Sequence, residues 1–251
     1  MKKKITLKSP DDIKRIREAG RIIAEIFKVI SCKSLTGVST LELDKFIEDV
    51  IFKAKAKASF KTVKNYAHAT CICINDEVVH GIPSKKKIIK KGDIVKIDIG
   101  VVKNGYFADA CQTFTVKPIS DAADKLVSVT DKALQIGIDT CYPGKRLGDL
   151  GAAIQEYVES NGFSVVRDYT GHGVGFAVHE LPSVLHFGTK GKGRIISEGM
   201  VLAIEPMVNE GTSDVVVLGD GWTAVTEDGK LSAQFEHTVA VTKDGPVILT
   251  G

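Results

Sequence analysis

The chain has 251 residues, 43% of them hydrophobic and 26% charged, and its 34 basic and 31 acidic side chains leave a net charge of +3. That length can bury a large core as one or two tightly joined domains, and the even mix of signs gives no general attraction to nucleic acid. No apolar run reaches the roughly eighteen residues of a membrane span, and no apolar signal region follows the first charges, so an ordinary exported or membrane-spanning protein is not expected. Lys2, Lys3 and Lys4 read as a solvated terminus, with a role at an RNA surface as the other option. Cys32, Cys71, Cys73, Cys111 and Cys141 make an odd set without framework spacing, and no histidine follows the close pair at zinc-finger spacing. Reduced thiols in a cytosolic protein are the simplest account.

In chain order, Ser9 can cap a helix that has Pro10 at its first position and acids in its first turn. Ile13, Ile16, Ile23, Ile26, Phe27 and Ile30 recur at helical spacing behind it. A second helix fits Thr40 to about Ala56. Strand-like text follows in "TCICINDEVVHG", "GDIVKIDIGVV" and "GYFADACQTFTV". Then "SDAADKLVSVTDKALQIGI" and "RLGDLGAAIQEYVESNG" read as a helix pair stopped by Gly162, and strand-like segments return at 163–169, 199–209, 215–219 and 231–242.

Helix, helix, strands, twice over, predicts a duplicated α+β architecture. "VHGIPS" (79–84) matches "VHELPS" (178–183) at four of six positions, and "GDIVKID" (92–98) parallels "GMVLAIE" (199–205). Each half then offers a further acid in strand-like text, Asp109 and Glu236. The repeat therefore puts one histidine, His80 or His179, and two carboxylates in each half.

An acid in a strand is ordinarily a solvent-facing alternate position. Asp98, which shares its face with Lys96, fits that description taken alone. Glu205 does not, because its neighbours make both faces apolar and a buried carboxylate is costly unless paired or bound to metal. Four acids placed alike in a duplicated frame point to one shared site. Four converging carboxylates cannot all ionise without a cation. Oxygen-rich ligation with about one imidazole suits Mn, Fe, Co or Zn in an open hydrolytic site, and two ions about 3.5–4 Å apart would activate water at neutral pH.

The histidines of "GHGVGFAVHELPSVLH" (171–186) recur every seven residues, which on a helix would form a stripe. Gly171, Gly173, Gly175 and Pro182 disfavour that helix, and in extended chain a step of seven alternates faces. His186 has no counterpart in the repeat and is read as structural or surface.

In order and spacing, "CICINDEVVHGIP", "GDIVKIDIG", "GYFADACQTF", "GHGVG…HELP", "LAIEPMV", "DGWTAVTEDGKLSAQFEHTVAVT" and "ILTG" resemble type I methionine aminopeptidases of the short, bacterial type, over essentially the whole chain. The resemblance implies a pita-bread fold with pseudo-twofold halves of about 9–117 and 118–251 in one metallopeptidase domain, 1–251. It implies two divalent metal ions held by Asp98, Asp109, His172, Glu205 and Glu236, with Asp109 and Glu236 bridging. The implied reaction is hydrolytic removal of the initiator methionine from nascent polypeptides whose second residue is small. Glu205 would also shuttle the proton, His179 would stabilise the oxyanion and His80 would contact the scissile amide nitrogen. The free amine would sit near Asp98, and Tyr66, Cys71 and Trp222 match positions of the methionine pocket. Phe176 and Val178 depart from the arginine and bulky apolar residue common in the family, and "SFKTVKNY" lacks its glycine-aromatic pattern, so an altered pocket wall is expected. The expected setting is cytoplasmic, with transient ribosome proximity, no membrane or specific nucleic acid, and nothing to call for more than a monomer. By the family's size rule the bulky Lys2 predicts that the protein keeps its own Met1. The competing readings are an Xaa-Pro-type exopeptidase (a class that usually carries an additional N-terminal domain) and a catalytically inactive binding protein of the same fold.

Overall fold

Ser9 starts the first helix as the sequence predicts. Its hydroxyl accepts from the Asp12 N–H while the Asp12 carboxylate accepts from the Ser9 N–H at 2.9 Å, a reciprocal box that satisfies two otherwise orphaned donors. Helix α1 (Pro10–Ser31) buries Ile16, Ile23, Ile26 and Ile30 against the first sheet. The computed structural model describes residues 5–251; the expectations for Lys2, Lys3 and Lys4 and for Met1 retention lie outside them. Helix α2 (Thr40–Lys53) repeats the box with Ser39 and Glu42, and stops short of Ala56 because Lys55 takes a left-handed φ of 56°.

The first sheet is built on a long hairpin of β4 (Ile94–Lys103) and β5 (Tyr106–Thr115). Asn104 and Gly105 close it at φ of 52° and 84°, the two positive values a tight two-residue turn requires. β1 (Lys57–Ala58) and β2 (Thr70–Ile74) pair in succession along the other edge of β4. β3 (Glu77–Val79) leaves that sheet to pair with β12 (Ala224–Thr226), which also pairs β11 (Val215–Val217).

The second half opens with α3 (Asp121–Thr140) and α4 (Leu147–Ser160), the latter followed by Gly162 at φ 84°. Its main sheet runs β15 (Gly245–Ile248), β14 (His237–Thr242), β9 (Val201–Ile204), β7 (Gly171–Gly173), β8 (Glu180–Val184). A small sheet of β13 (Ser232–Gln234), β10 (Met207–Asn209) and β6 (Ser164–Val165) completes it. The architecture is the pseudo-twofold α+β pita-bread fold. No described helix is long and apolar enough to cross a membrane.

The strands differ from expectation at three places. The segment 199–209 is not one strand: Pro206 lacks an N–H for the ladder, so β9 ends at Ile204 and Glu205 stands beyond it. Glu236 likewise lies in the break between β13 and β14. The strand-like segment 163–169 shrinks to Ser164–Val165, while β7 and β8 arise in glycine- and proline-rich text.

The halves are stitched along β5. The Asp109 N–H donates to the Thr238 hydroxyl (2.9 Å), which donates back to the Asp109 carbonyl (2.7 Å). Two residues on, the Glu236 N–H donates to the Cys111 carbonyl at 2.8 Å. Thr113 and Gln234 repeat the hydroxyl–amide exchange. Lys96, on the face where a solvated position was expected, is instead buried, its ammonium donating at 2.7 Å to the carbonyls of Asn75 and Ser232, one from each half.

α1 in turn packs on the C-terminal segment through Gly20, where a Cβ would come within 2.2 Å of the Leu249 carbonyl oxygen. Gly20→Ala is therefore expected to cost about 1–3 kcal/mol by overpacking. Urea unfolding should show a lower midpoint with an unchanged m value, and an unchanged midpoint would show that the contact yields freely.

Candidate active site

Strand register assembles the first half of the site. Cys71 on β2, Asp98 on β4 and Cys111 on β5 are direct cross-strand partners and share one face. Asp109, two residues from Cys111, lies diagonally across from Asp98 on that face. Directly opposite Asp109 is Gly100, where a Cβ would come within 2.0 Å of the Ser59 hydroxyl and 2.7 Å of the Phe60 ring; the missing side chain makes room for both.

The second half supplies a matching row. His172 pairs with Ala203, which pairs with Thr238. His237 is opposite Ile204 at the end of this ladder, and Glu236 and Glu205 are the residues immediately beyond it on the two chains. Ligand atoms of Asp109, His172 and Glu236 come within 4.8 Å of one another, and His172 Nε2 is 3.5 Å from Glu205 Oε1. The other Glu205 oxygen accepts from the Gln234 amide at 3.1 Å.

Three oxygens of this cluster lack partners. Oδ1 of Asp98, Oδ1 of Asp109 and Oε1 of Glu236 are buried without a hydrogen bond. Burial pushes the Asp98 carboxyl up to about 7. Asp109, Glu205 and Glu236 are raised well above the carboxylate range by burial first and then by the other acids. His172 Nδ1 faces the Gly173 carbonyl at 3.0 Å, which assigns the proton to Nδ1 and leaves the Nε2 lone pair towards the acids. Burial pushes its pKa down to about 4, so the ring is neutral, as a ligand must be. Buried oxygens without donors, mutual repulsion and one imidazole lone pair together fit a divalent cation.

All ten residues singled out from the sequence line one cleft of about 570 Å³. At its apolar end the Tyr66 and Trp222 rings meet edge to face with centroids 5.0 Å apart, over Cys71, Phe60 and Val63. Asp44 of α2 fixes this wall by accepting from the N–H groups of Ala69 and Thr70, and Tyr66 donates to the Thr70 carbonyl at 2.8 Å. His80 takes a left-handed φ of 58° and lies edge-on to Tyr169, centroids 5.3 Å apart; burial lowers its pKa to about 4. The His179 ring stands 4.5 Å from that of His172. Its loop is held by Glu180, which accepts from the N–H groups of Phe176 and Ala177 and pairs with the buried Lys8 ammonium. The expected change in the pocket wall divides: Val178 packs with Phe60, Tyr66 and Cys71, whereas Phe176 faces Tyr106 and does not line the cleft.

Sequence reasoning missed the residues that hold the site. His186 is fully buried, and its Nε2 accepts from the Glu205 N–H at 3.0 Å, so it is the structural alternative and aims Glu205. Gln234 shares a face with Glu236 by simple alternation, a signal that could have found it. Nothing local marks Lys8. His186→Ala leaves the Glu205 N–H buried without an acceptor, an expected loss of about 1–3 kcal/mol. His186→Gln, which keeps an acceptor, should recover part of it in thermal unfolding; equal losses in both would argue against the hydrogen bond.

Residues 14–243 match the model of metallopeptidase family M24. The chain is 48% identical over 246 residues, 98% of each chain, to a methionine aminopeptidase of Clostridium perfringens. The crystal structure of the Thermotoga maritima methionine aminopeptidase superposes with a TM-score of 0.96 at 43% identity, covering 98% of this chain and 99% of that one. A prolidase from Pyrococcus furiosus, at 23% identity, shares the fold with a TM-score of 0.79 over 98% of this chain and 65% of its own. Family membership implies use of a divalent metal, which the donor cluster fits. The chain belongs to the methionine aminopeptidases of metallopeptidase family M24.

Proposed function

We propose that the chain hydrolytically removes the initiator methionine from nascent polypeptides whose second residue is small, as one metallopeptidase domain over 1–251 with halves of about 9–117 and 118–251. The observation that carries this reading is the set of unpartnered buried carboxylate oxygens beside an aromatic recess in one cleft. Asp98, Asp109, His172, Glu205 and Glu236 would hold two divalent ions, Co, Mn, Fe or Zn. When bound, the ions supply Lewis acidity and a water acidic enough to deprotonate near neutral pH.

The chain's own side chains do the rest. Tyr66, Cys71 and Trp222 receive the methionine side chain, and their apolar, close-fitting character supports that choice. Asp98 faces the free amine, which restricts the enzyme to chain ends. His179 donates to the scissile carbonyl oxygen as negative charge develops there. His80 contacts the scissile nitrogen. Glu205 takes a proton from the attacking water and delivers it to the leaving amine; the Gln234 amide on one oxygen supports a fixed orientation for the other. The setting is cytoplasmic, as a monomer near the ribosome where new N-termini emerge, with the five free cysteines in support of a reducing compartment.

Metal-loaded protein should release methionine from Met-Ala-Ser and leave an Xaa-Pro peptide intact. Cleavage of the Xaa-Pro peptide alone would favour the proline-type reading, and cleavage of neither with any of the four metals would favour an inactive binding protein. Glu205→Ala should lower turnover by at least about 10²-fold with the fold retained, and full activity would remove the proton-shuttle role. Reloading chelated protein at about a hundredfold over the Kd should contribute ~2.7 kcal/mol, a rise in Tm of about 5–10 °C. Asp109→Asn combined with Glu236→Gln should lose that rise; its persistence would place the metal elsewhere.

A further inference from the structure

A second cleft, of about 420 Å³, adjoins the catalytic one, and Leu181 and Ser183 line both. From Leu181 to Phe187 the chain alternates: Pro182, Val184 and His186 are buried, while Leu181, Ser183 and Leu185 are exposed and Phe187 is half-buried. The outward residues form a mostly apolar ridge that starts at the catalytic row, where Ser183 pairs with His172, and runs away from it. Two steps of strand rise, about 7 Å, separate Ser183 from Leu185. Among the described residues β8 is also the last strand of its sheet and pairs only with β7, so one edge of its main chain has no strand partner there. The far wall carries Lys192 and Arg194, for which no ion pair is found among the described residues.

We propose that this cleft is a subsite for the substrate polypeptide downstream of the scissile bond. It seats an apolar side chain at about the fourth to sixth residue, with a neighbouring acidic residue drawn to Lys192 and Arg194. The lining shared with the catalytic cleft argues for the substrate's own chain as the occupant. An extended peptide leaving the catalytic row along an edge strand keeps the strand's rise, so residues two and three stay in the first cleft and the next few reach the second. Leu185 is 40% exposed, an apolar surface available for burial by such a side chain. This inference rests on the peptidase reading of the catalytic cleft.

The test compares Met-Ala-Ser with two octapeptides, Met-Ala-Ser-Ser-Leu-Glu-Ser-Ser and the version with serine at the fifth and sixth positions. Wild-type metal-loaded protein should favour the Leu-Glu octapeptide by about five- to tenfold in kcat/KM, chiefly through KM. Leu185→Ser, and separately Lys192→Glu with Arg194→Glu, should abolish that preference and leave kcat/KM for Met-Ala-Ser unchanged. The tripeptide keeps the two readings apart, since it tests the chemistry without reaching the second cleft. Were no peptide cleaved, anisotropy of a fluorescein-labelled Leu-Glu octapeptide would still measure the preference by binding. Equal values for the two octapeptides overturn the proposal. So does a dimer in gel filtration that Leu185→Ser dissolves, which would assign the cleft to a second copy of the chain.

Discussion

Four carboxylates buried together in a protein interior repel one another, and this constraint shapes the rest of the molecule. Asp98 and Asp109 come from a hairpin of the first half, Glu205 and Glu236 from strand ends of the second. Neither half could bury its pair at low cost, and the two pairs face one another only because the sheets meet along β5. Burial and mutual repulsion raise the pKa values of the acids and so favour their neutral forms, and several of their oxygens have no partner. The cluster of Asp109, His172 and Glu236 fits a divalent cation, whose use family membership implies. The surrounding structure keeps the acids in register: His186 on the Glu205 main chain, Gln234 on its carboxylate and Thr238 on the main chain of Asp109.

The cleft around this centre has parts of different stiffness. The metal-facing row is made of paired strands and reciprocal hydrogen bonds. The aromatic recess is set by packing on Gly100 and by the Asp44 clasp on Ala69 and Thr70. Beyond His179 the surface becomes an exposed ridge backed by buried alternates.

Much of the fold was legible because its signals are local. The Ser9 cap, Pro10 and the 3.6-residue period behind them lie within a few residues of one another, and the first helix starts where those signals predict. The acids were legible for a different reason: duplication repeats them at matched positions, and the family resemblance names them. What escaped depends on distant partners. Lys96 looked solvent-facing because the carbonyls that accept its ammonium lie at Asn75 and Ser232, 21 and 136 residues away. His186 looked idle because its partner is a main-chain N–H, which carries no side-chain signature. Glu205 reads as part of a strand because the apolar text runs up to it, although Pro206 is present to break the strand; Glu236 reads so because strand-like text follows it in 237–242. β7 and β8 form from residues with poor strand propensity, held by the register of their neighbours.

The stitching of β5 to the segment 232–238 also bears on how the chain reaches this state. Its contacts join residues more than 120 positions apart, among them Thr113 with Gln234 and Asp109 with Thr238. Such contacts require a long loop to close before they return any free energy, so they belong late on the folding route. The helices and the β4–β5 hairpin can form from neighbouring residues while synthesis continues. The acid cluster cannot: two of its four acids, Glu205 and Glu236, emerge after residue 200, and the chain must be nearly complete before the four have a common place to go. During synthesis the protein can gather much of its scaffold without assembling a working hydrolytic centre.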